Sequence, residues 1–240
     1  MPALLQQIID RHGGLGLWQS CEFIVARLTF GGLAFASRFN RAGLRERTIK
    51  IATREREVVF NDYPDPRQRG IFTPDVVKIE SQSGEIISER HSPRTAFRSV
   101  RRYVWWDDLD LLYFAGYAVW NYLTMPFLLL QKDVEVKEID SWKENDEVWR
   151  RLTVRFPAAI PTHCREQVFY FDKNLLLRRH DYNPEIFAPR AKAAHYCYHH
   201  KSFNGFTVAT KRKVLPRTAS GHSRPWPVLV WIDIADVALE

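Results

Sequence analysis

The sequence predicts a mainly β fold with helices (α+β): a strongly curved antiparallel sheet or half-barrel of about 11–13 strands, with a central apolar helix packed on its concave side. Three observations carry this reading. Two blocks of short alternating runs, 18–90 and 133–235, are punctuated by Gly, Pro and Asn in the manner of meandering strands. Between them, Leu111 to Leu130 passes twenty residues without a charge. The chain of 240 residues also carries 8 Trp, 9 Tyr and 15 Phe against 2 Met, a load of rigid rings that suits a ring-lined interior.

In chain order, residues 2–11 are amphipathic and read as a short helix. Gln6, Gln7, Asp10 and Arg11 interrupt its apolar character before an export-signal core can form, so the chain is expected to be cytoplasmic. Cys21, Cys164 and Cys197 are odd in number and form no CxxC pair, which fits a reducing compartment and excludes a disulfide framework. The first block supplies about six strands from CEFIVARLTF, LAFASRF, RERTIKIAT, REVVFNDY, VVKIES and EIISER, with tight turns at Phe30-Gly31-Gly32-Leu33 and Gln82-Ser83-Gly84-Glu85. The insertion 107–130 opens on Asp107, Asp108 and Asp110, residues suited to an N-cap and first turn. It has almost no polar side, so it must be enclosed, and Pro126 ends or kinks it. Asn121, Thr124, three tyrosines and Pro126, together with largely acidic flanks, argue for a buried helix over a membrane span. The second block supplies six or seven strands from EVKEIDSW, VWRRLTVRF, REQVFYFD, LLLRRHDY, AAHYCYHH, FTVATKRKV and VLVWIDI. No linker or repeat separates the halves, so residues 1–240 are expected to form a single domain.

This order of N-terminal helix, strands, apolar helical insertion and further strands resembles the half-barrel of bacterial lipoprotein-carrier proteins and related lipid-binding lipoproteins. The stretches WWDDLDLLYFAGYAVWNYLTMPF, FPAAIPTHCREQVFYFD, LLRRHDY and AAHY, between Trp105 and Tyr196, also resemble a family of uncharacterised bacterial proteins of about this length. The carrier resemblance implies a hydrophobic interior that holds acyl chains beneath a helical lid; the missing export signal departs from those carriers.

One hairpin gives site geometry. With Lys173-Asn174 as a two-residue loop, Gln167 faces His180, Arg165 faces Tyr182 and Phe169 faces Arg178, while Glu166, Arg179 and Asp181 turn to the opposite side. Gln167, His180 and Tyr182 then make a polar spot on an aromatic wall with Phe169 and Phe171, an arrangement able to orient a largely apolar ligand. His180 and Asp181 point to opposite faces and form no dyad with each other. On the helix, Tyr113, Tyr117 and Trp120 fall on one stripe and either line a pocket or pack the core. Asn121, deepest in the run, reads as a structural anchor. Arg94, with Arg90, His91 and Pro93, could grip an acidic head group at the pocket mouth. His195, Cys197 and His199 alternate along one strand as weak metal candidates, but no carboxylate joins them, so neither metal nor cofactor is expected.

The net charge of +7 permits anionic partners. Its basic residues, among them Arg38, Arg41, Arg45, Arg47, Lys50, Arg54 and Arg56, then Lys211, Arg212, Lys213 and Arg217, are dispersed and read mostly as charged outer strand faces. With no helix-turn-helix, RNP box or phosphate loop, no nucleic acid partner is expected. The expected function is binding of a hydrophobic or amphipathic small molecule, lipid-like or polyketide-like, in an aromatic-lined cavity, with Arg94, Tyr113, Tyr117, Trp120, Gln167, Phe169, His180 and Tyr182 as the ligand-binding set. The alternative is a cyclase, isomerase or hydrolase using the same pocket, with His180 as general acid or base and Tyr182 or His163 assisting. A third reading is an interaction protein with a filled core. The sequence sets no oligomeric state.

Overall fold

In the computed structural model, residues 2–38, 45–188 and 190–240 are described. Arg41 lies outside them. Helices α1 (Ala3–Arg11) and α2 (Gly14–Ser20) precede six strands: β1 (Phe23–Gly31), β2 (Arg47–Ala52), β3 (Val58–Asn61), β4 (Gln68–Phe72), β5 (Val76–Ser81) and β6 (Ile86–His91), with helix α3 (Leu33–Ala36) after β1. Two 3-10 turns lead into α4 (Asp108–Thr124). Seven strands follow: β7 (Glu135–Glu144), β8 (Glu147–Arg155), β9 (Glu166–Phe171), β10 (Leu177–Tyr182), β11 (Ala193–Phe203), β12 (Phe206–Pro216) and β13 (Val230–Leu239).

All thirteen form one antiparallel sheet in the order β6-β5-β4-β3-β2-β1-β13-β12-β11-β10-β9-β8-β7. Each block is a meander, and pairing of the first strand with the last, from Ile24 against Leu239 to Gly31 against Trp231, joins the two. The chain therefore leaves the sheet at one free edge, β6, and returns at the other, β7. The segment between those edges crosses the concave face, which is why the insertion had to be apolar all round. Every residue from Leu109 to Thr124 is buried.

Helix α4 starts on a reciprocal capping box: Asp107 accepts from the Asp110 amide at 2.8 Å while the Asp110 carboxylate accepts from the Asp107 amide at 3.3 Å. Arg90 and Arg101 bridge both carboxylates, so the acidic cluster is a clamped helix start. The helix lies closest to the first block, where Gly116 faces the Phe72 side chain and Gly70 faces Leu112 and Tyr63; a Cβ at either glycine would overlap those groups. On this side Trp120 donates to the Ala52 and Glu55 carbonyls at 3.1 and 3.0 Å, and the interior is filled with side chains.

Two expected elements are corrected. Of the run LAFASRF, the described residues 33–38 form no strand: Gly32, at φ 128°, turns the chain back and the Leu33 and Ala34 amides donate to the Val228 and Leu229 carbonyls, seating α3 against β13. The expected tight turn at Phe30–Leu33 disappears with it. QRGIF, overlooked for its polar start and its glycine, is β4, and Gly70 gives α4 its close approach. No helix among the described residues is long and apolar enough to cross a membrane.

Candidate functional site

The interior opens where α4 meets β12 and β13. A cavity of about 350 Å³ is bounded by Phe114 and Tyr122 of α4, Val214 of β12, Leu229 and Val230 at the start of β13, Leu33, Ala34, Ser37 and Arg38 around α3, Tyr103, His163, and Tyr182, Pro184, Phe187, Ala188 and Ala191. Its wall is overwhelmingly apolar and rich in rings. The Arg38 guanidinium lies over the Trp106 and Phe187 rings at 5.1 and 4.8 Å and donates to the Ala34 and Arg102 carbonyls, which ties α3 to the segment before α4.

One part of the wall is polar, and it is a continuous chain. The Tyr117 hydroxyl is 3.0 Å from His163 Nδ1, the Tyr122 hydroxyl is 2.6 Å from His163 Nε2, and the Tyr182 hydroxyl is 3.4 Å from that of Tyr122. The His163 ring stacks on the Tyr182 ring with centroids 3.9 Å apart. His163 sits in the β8–β9 connection, which Asn121 holds to the helix by donating to the Tyr117 and Pro161 carbonyls at 2.6 and 2.8 Å. Asn121 is thus the anchor its position suggested.

Burial pushes His163 down to about 3, helped by the charge of Arg94, and pushes the Tyr117, Tyr122 and Tyr182 hydroxyls up, so all four groups are neutral at physiological pH. A neutral imidazole has one N–H and one lone pair, so the chain has two polarities. If Tyr117 donates to Nδ1, then Nε2–H donates to Tyr122, Tyr122 donates to Tyr182, and the Tyr182 O–H is left for the cavity it borders. Reversed, Tyr182 receives a proton donor from the cavity side and the spare O–H is that of Tyr117. In either polarity one hydroxyl proton is left over, at Tyr182 or at Tyr117.

Behind this chain, β9 and β10 carry the predicted hairpin in a corrected register. Asp172 and Leu176 close the loop, because the Asp172 carboxylate accepts from the Asn174 and Leu176 amides and Leu175 takes a left-handed conformation (φ 62°). His180 therefore pairs with Phe169, not Gln167. For residues 179–182 the slip is two residues, so these side chains keep their predicted faces, while a bulge between Leu177 and Arg179 brings Leu177 opposite Phe171. His180 stacks on Phe169 at 4.2 Å, and its Nε2 still reaches the Gln167 carbonyl oxygen; Gln167 in turn donates to the Cys164 carbonyl at 2.7 Å. Burial and neighbouring positive charge hold His180 far below the usual histidine range.

Of the predicted ligand-binding set, Tyr182 borders the cavity itself, as does His163 from the catalytic set. Tyr117, Gln167, Phe169 and His180 stand behind that wall, and Trp120 faces the filled side. Tyr113 and Arg94 line a separate cleft of about 350 Å³ with Asp75, Arg165 and Glu185, where Arg94 donates to the Thr162 carbonyl at 3.0 Å and pairs with Glu185 at 3.1 Å. His195 and Cys197 are buried, but His199 takes a left-handed backbone at φ 52° and is exposed, so the three do not share a face. Among the described residues no group of three His, Cys, Asp or Glu is placed to hold a metal. Sequence reasoning missed Tyr122 and Phe187. The i+5 spacing from Tyr117 to Tyr122 takes the latter off the predicted helical stripe.

The half-barrel is shared with solved structures of low sequence identity. The chain is similar to a putative outer membrane lipoprotein-sorting protein domain from Vibrio parahaemolyticus, with a TM-score of 0.54 and 11% identity over 99% of this chain and 91% of that one. It is also similar to a LolA superfamily protein from Nitrosomonas europaea, with a TM-score of 0.52 and 10% identity over 98% and 93%. At these identities the likeness establishes a shared half-barrel architecture. No family model matches the chain, and no curated protein does.

Proposed function

We propose that this protein binds a hydrophobic or amphipathic small molecule, lipid-like or polyketide-like, in the cavity between α4, α3 and the β12–β13 side of the half-barrel. The observation that carries this is the cavity itself: about 350 Å³, within the range of small-molecule sites, nearly all apolar, with Tyr122, His163 and Tyr182 on one wall and Ser37, Arg38 and Tyr103 on the α3 side. Burial of an apolar body drives binding at roughly 25 cal/mol per Å² before the costs of association. Tyr182 orients the polar end, backed by the Tyr122–His163–Tyr117 chain. The similarity to a putative lipoprotein-sorting domain supports a lipid-like cargo.

Ala191 borders the cavity, so Ala191→Phe fills it without touching the polar wall. A solvatochromic hydrophobic dye displaced by dodecanol from the natural protein should bind Ala191→Phe about tenfold or more weakly, a change of about 1.4 kcal/mol. Equal affinity in the two proteins overturns the assignment to this cavity.

A second reading, an enzyme using the same pocket, is favoured by the chain of neutral groups ending at Tyr182, which can move a proton between cavity and interior. In that reading Tyr182 and His163 act at the cavity, with His180 a step behind. The cytoplasmic setting is part of the first proposal and rests on three buried free thiols, Cys21, Cys164 and Cys197. So is the single-domain organisation, supported by one sheet that runs through both strand blocks.

A further inference from the structure

The exposed apolar side chains of this molecule gather in one place. Among the described residues ten large apolar or aromatic side chains stand exposed, and six of them, Leu33, Val100, Tyr103, Val104, Trp105 and Trp226, lie on the segments that frame the apolar cavity. The other four are scattered over α2, β6 and β8. Leu33 and Tyr103 border the cavity and are exposed to solvent at the same time, so they stand at its mouth. Val100, Val104 and Trp105 belong to or follow the 3-10 turn Val100–Tyr103, which Arg38 ties to α3 by donating to the Arg102 carbonyl at 2.8 Å. Trp226 stands two residues before Val228, whose carbonyl accepts from the Leu33 amide at 3.2 Å. Val100 is 82% exposed and Trp226 76%, so packing within the molecule accounts for neither. Apolar surface gathered in this way marks an interaction site.

The same segments are basic. Residues 33–38, 93–106, 186–192 and 222–230 contain no Asp or Glu, and they carry Arg98, Arg102, Arg190, Lys192 and Arg224 beside the apolar side chains. The acids that flank them in sequence are already engaged, Asp107 and Asp110 by Arg90 and Arg101, and Glu185 by Arg94. Arg102 lies over the Tyr103 ring at 4.7 Å and donates to its hydroxyl at 2.7 Å, and Arg101 lies over the Trp105 ring at 4.9 Å. Amphipathic rings beside arginines suit a boundary between headgroups and acyl chains, where the ring enters the apolar layer and the guanidinium meets phosphate.

Two features favour a bilayer over a protein partner. The apolar groups are separate side chains carried by α3, the 3-10 turn and the loop before β13, with no sheet edge among them for a strand to join. They also border an apolar cavity, whose interior would then be continuous with whatever apolar layer covers its mouth.

We propose that this rim is a docking surface for an anionic lipid bilayer, with Val100, Val104, Trp105 and Trp226 entering the interface and the five unshared cations meeting lipid phosphates. Docking goes beyond the ligand binding proposed above and holds whether or not the cavity is filled. It is reversible and weakens as salt screens the charges.

Sedimentation of the full chain with vesicles of phosphatidylcholine, alone or mixed equally with phosphatidylglycerol, tests this. At low salt the natural protein should bind the mixed vesicles about tenfold or more tightly than the neutral ones. Val104→Asp should weaken binding to mixed vesicles about tenfold or more, whereas Val148→Asp, the same change at an equally exposed site on β8 (61% against 60%), should leave it unchanged. Neither valine is buried, so both variants keep the packed core. Lipid brominated in its acyl chains should quench tryptophan emission of the natural protein, and less so in Trp226→Phe. Absence of binding to mixed vesicles, or equal weakening by the two aspartates, overturns the proposal. So does a dimer that Val104→Asp disrupts in sedimentation equilibrium without vesicle binding, which assigns the rim to a second copy of the chain. A protein that binds vesicles in the expected pattern but fails to take up the hydrophobic dye keeps the docking surface and loses the cavity reading.

Discussion

Two buried arginines on opposite faces of one sheet are treated in opposite ways. Arg179, on the outer face of β10, is fully enclosed and fully partnered. It bonds both Asp181 oxygens at 2.7 and 2.9 Å, reaches Glu144 at 3.1 Å and the Gly221 carbonyl, and is walled by the Trp142, Tyr170 and Tyr196 rings. Arg212, on the inner face of β12, has the Cys197 thiol, the Tyr122 carbonyl and the Tyr122 ring. The first is a closed polar network that holds β7, β10, β11 and the segment around Gly221 together. The second, with His195, whose ring nitrogens both lack partners, lies on the inner face near the cavity wall. These incomplete polar groups lie on the inner face, the side of the proposed ligand cavity.

The inner face should be the acid-sensitive one. The unfolded chain takes up protons near pH 6.5 that folded His163, held at about 3, refuses, so unfolding gains ground as pH falls through and below 6.5. By pH 5 this one group removes about 2 kcal/mol relative to pH 8. His180 and His195, also held down by burial, add loss of the same sign. Urea unfolding at pH 8, 6.5 and 5 should show stability nearly flat above 7 and falling steeply below 6.5; a pH-independent midpoint contradicts neutral buried histidines.

The outer face should be the mutation-sensitive one. Arg179→Met leaves the Asp181 carboxylate, 3% exposed, with only Arg217 at 3.4 Å and the Tyr170 hydroxyl at 2.9 Å, and should cost about 3 kcal/mol in chemical denaturation. Arg212→Met strands no charge. Without ligand it should leave stability within about 1 kcal/mol of the natural protein or raise it. Equal large losses for both would erase the contrast drawn here.

Much of this architecture was legible because it follows from periodicity. Alternation marks most of the strands, and the uncharged run from Leu111 marks the helix that had to be enclosed. Even the wrong hairpin register kept Gln167, Phe169, His180 and Tyr182 on one face, since a slip of two residues preserves a period of two. What escaped had physical reasons. Gly70 gives no side chain to the alternation of β4, and Gly32 redirects a run that reads as a strand. Arg212, between Lys211 and Lys213, reads as one of three outward charges, yet its parity with Val214 puts it inside. Tyr122 came from the helix but its partner His163 from a connection, and no spacing rule joins residues 41 apart.

The central claim, that the opening beside α4 holds a small molecule, is tested most directly by native mass spectrometry of protein purified gently without detergent. The account predicts a retained lipid-like adduct that disappears on denaturation and is diminished in Ala191→Phe. A bare polypeptide mass, unchanged after incubation with dodecanol or dodecanoate, would contradict it.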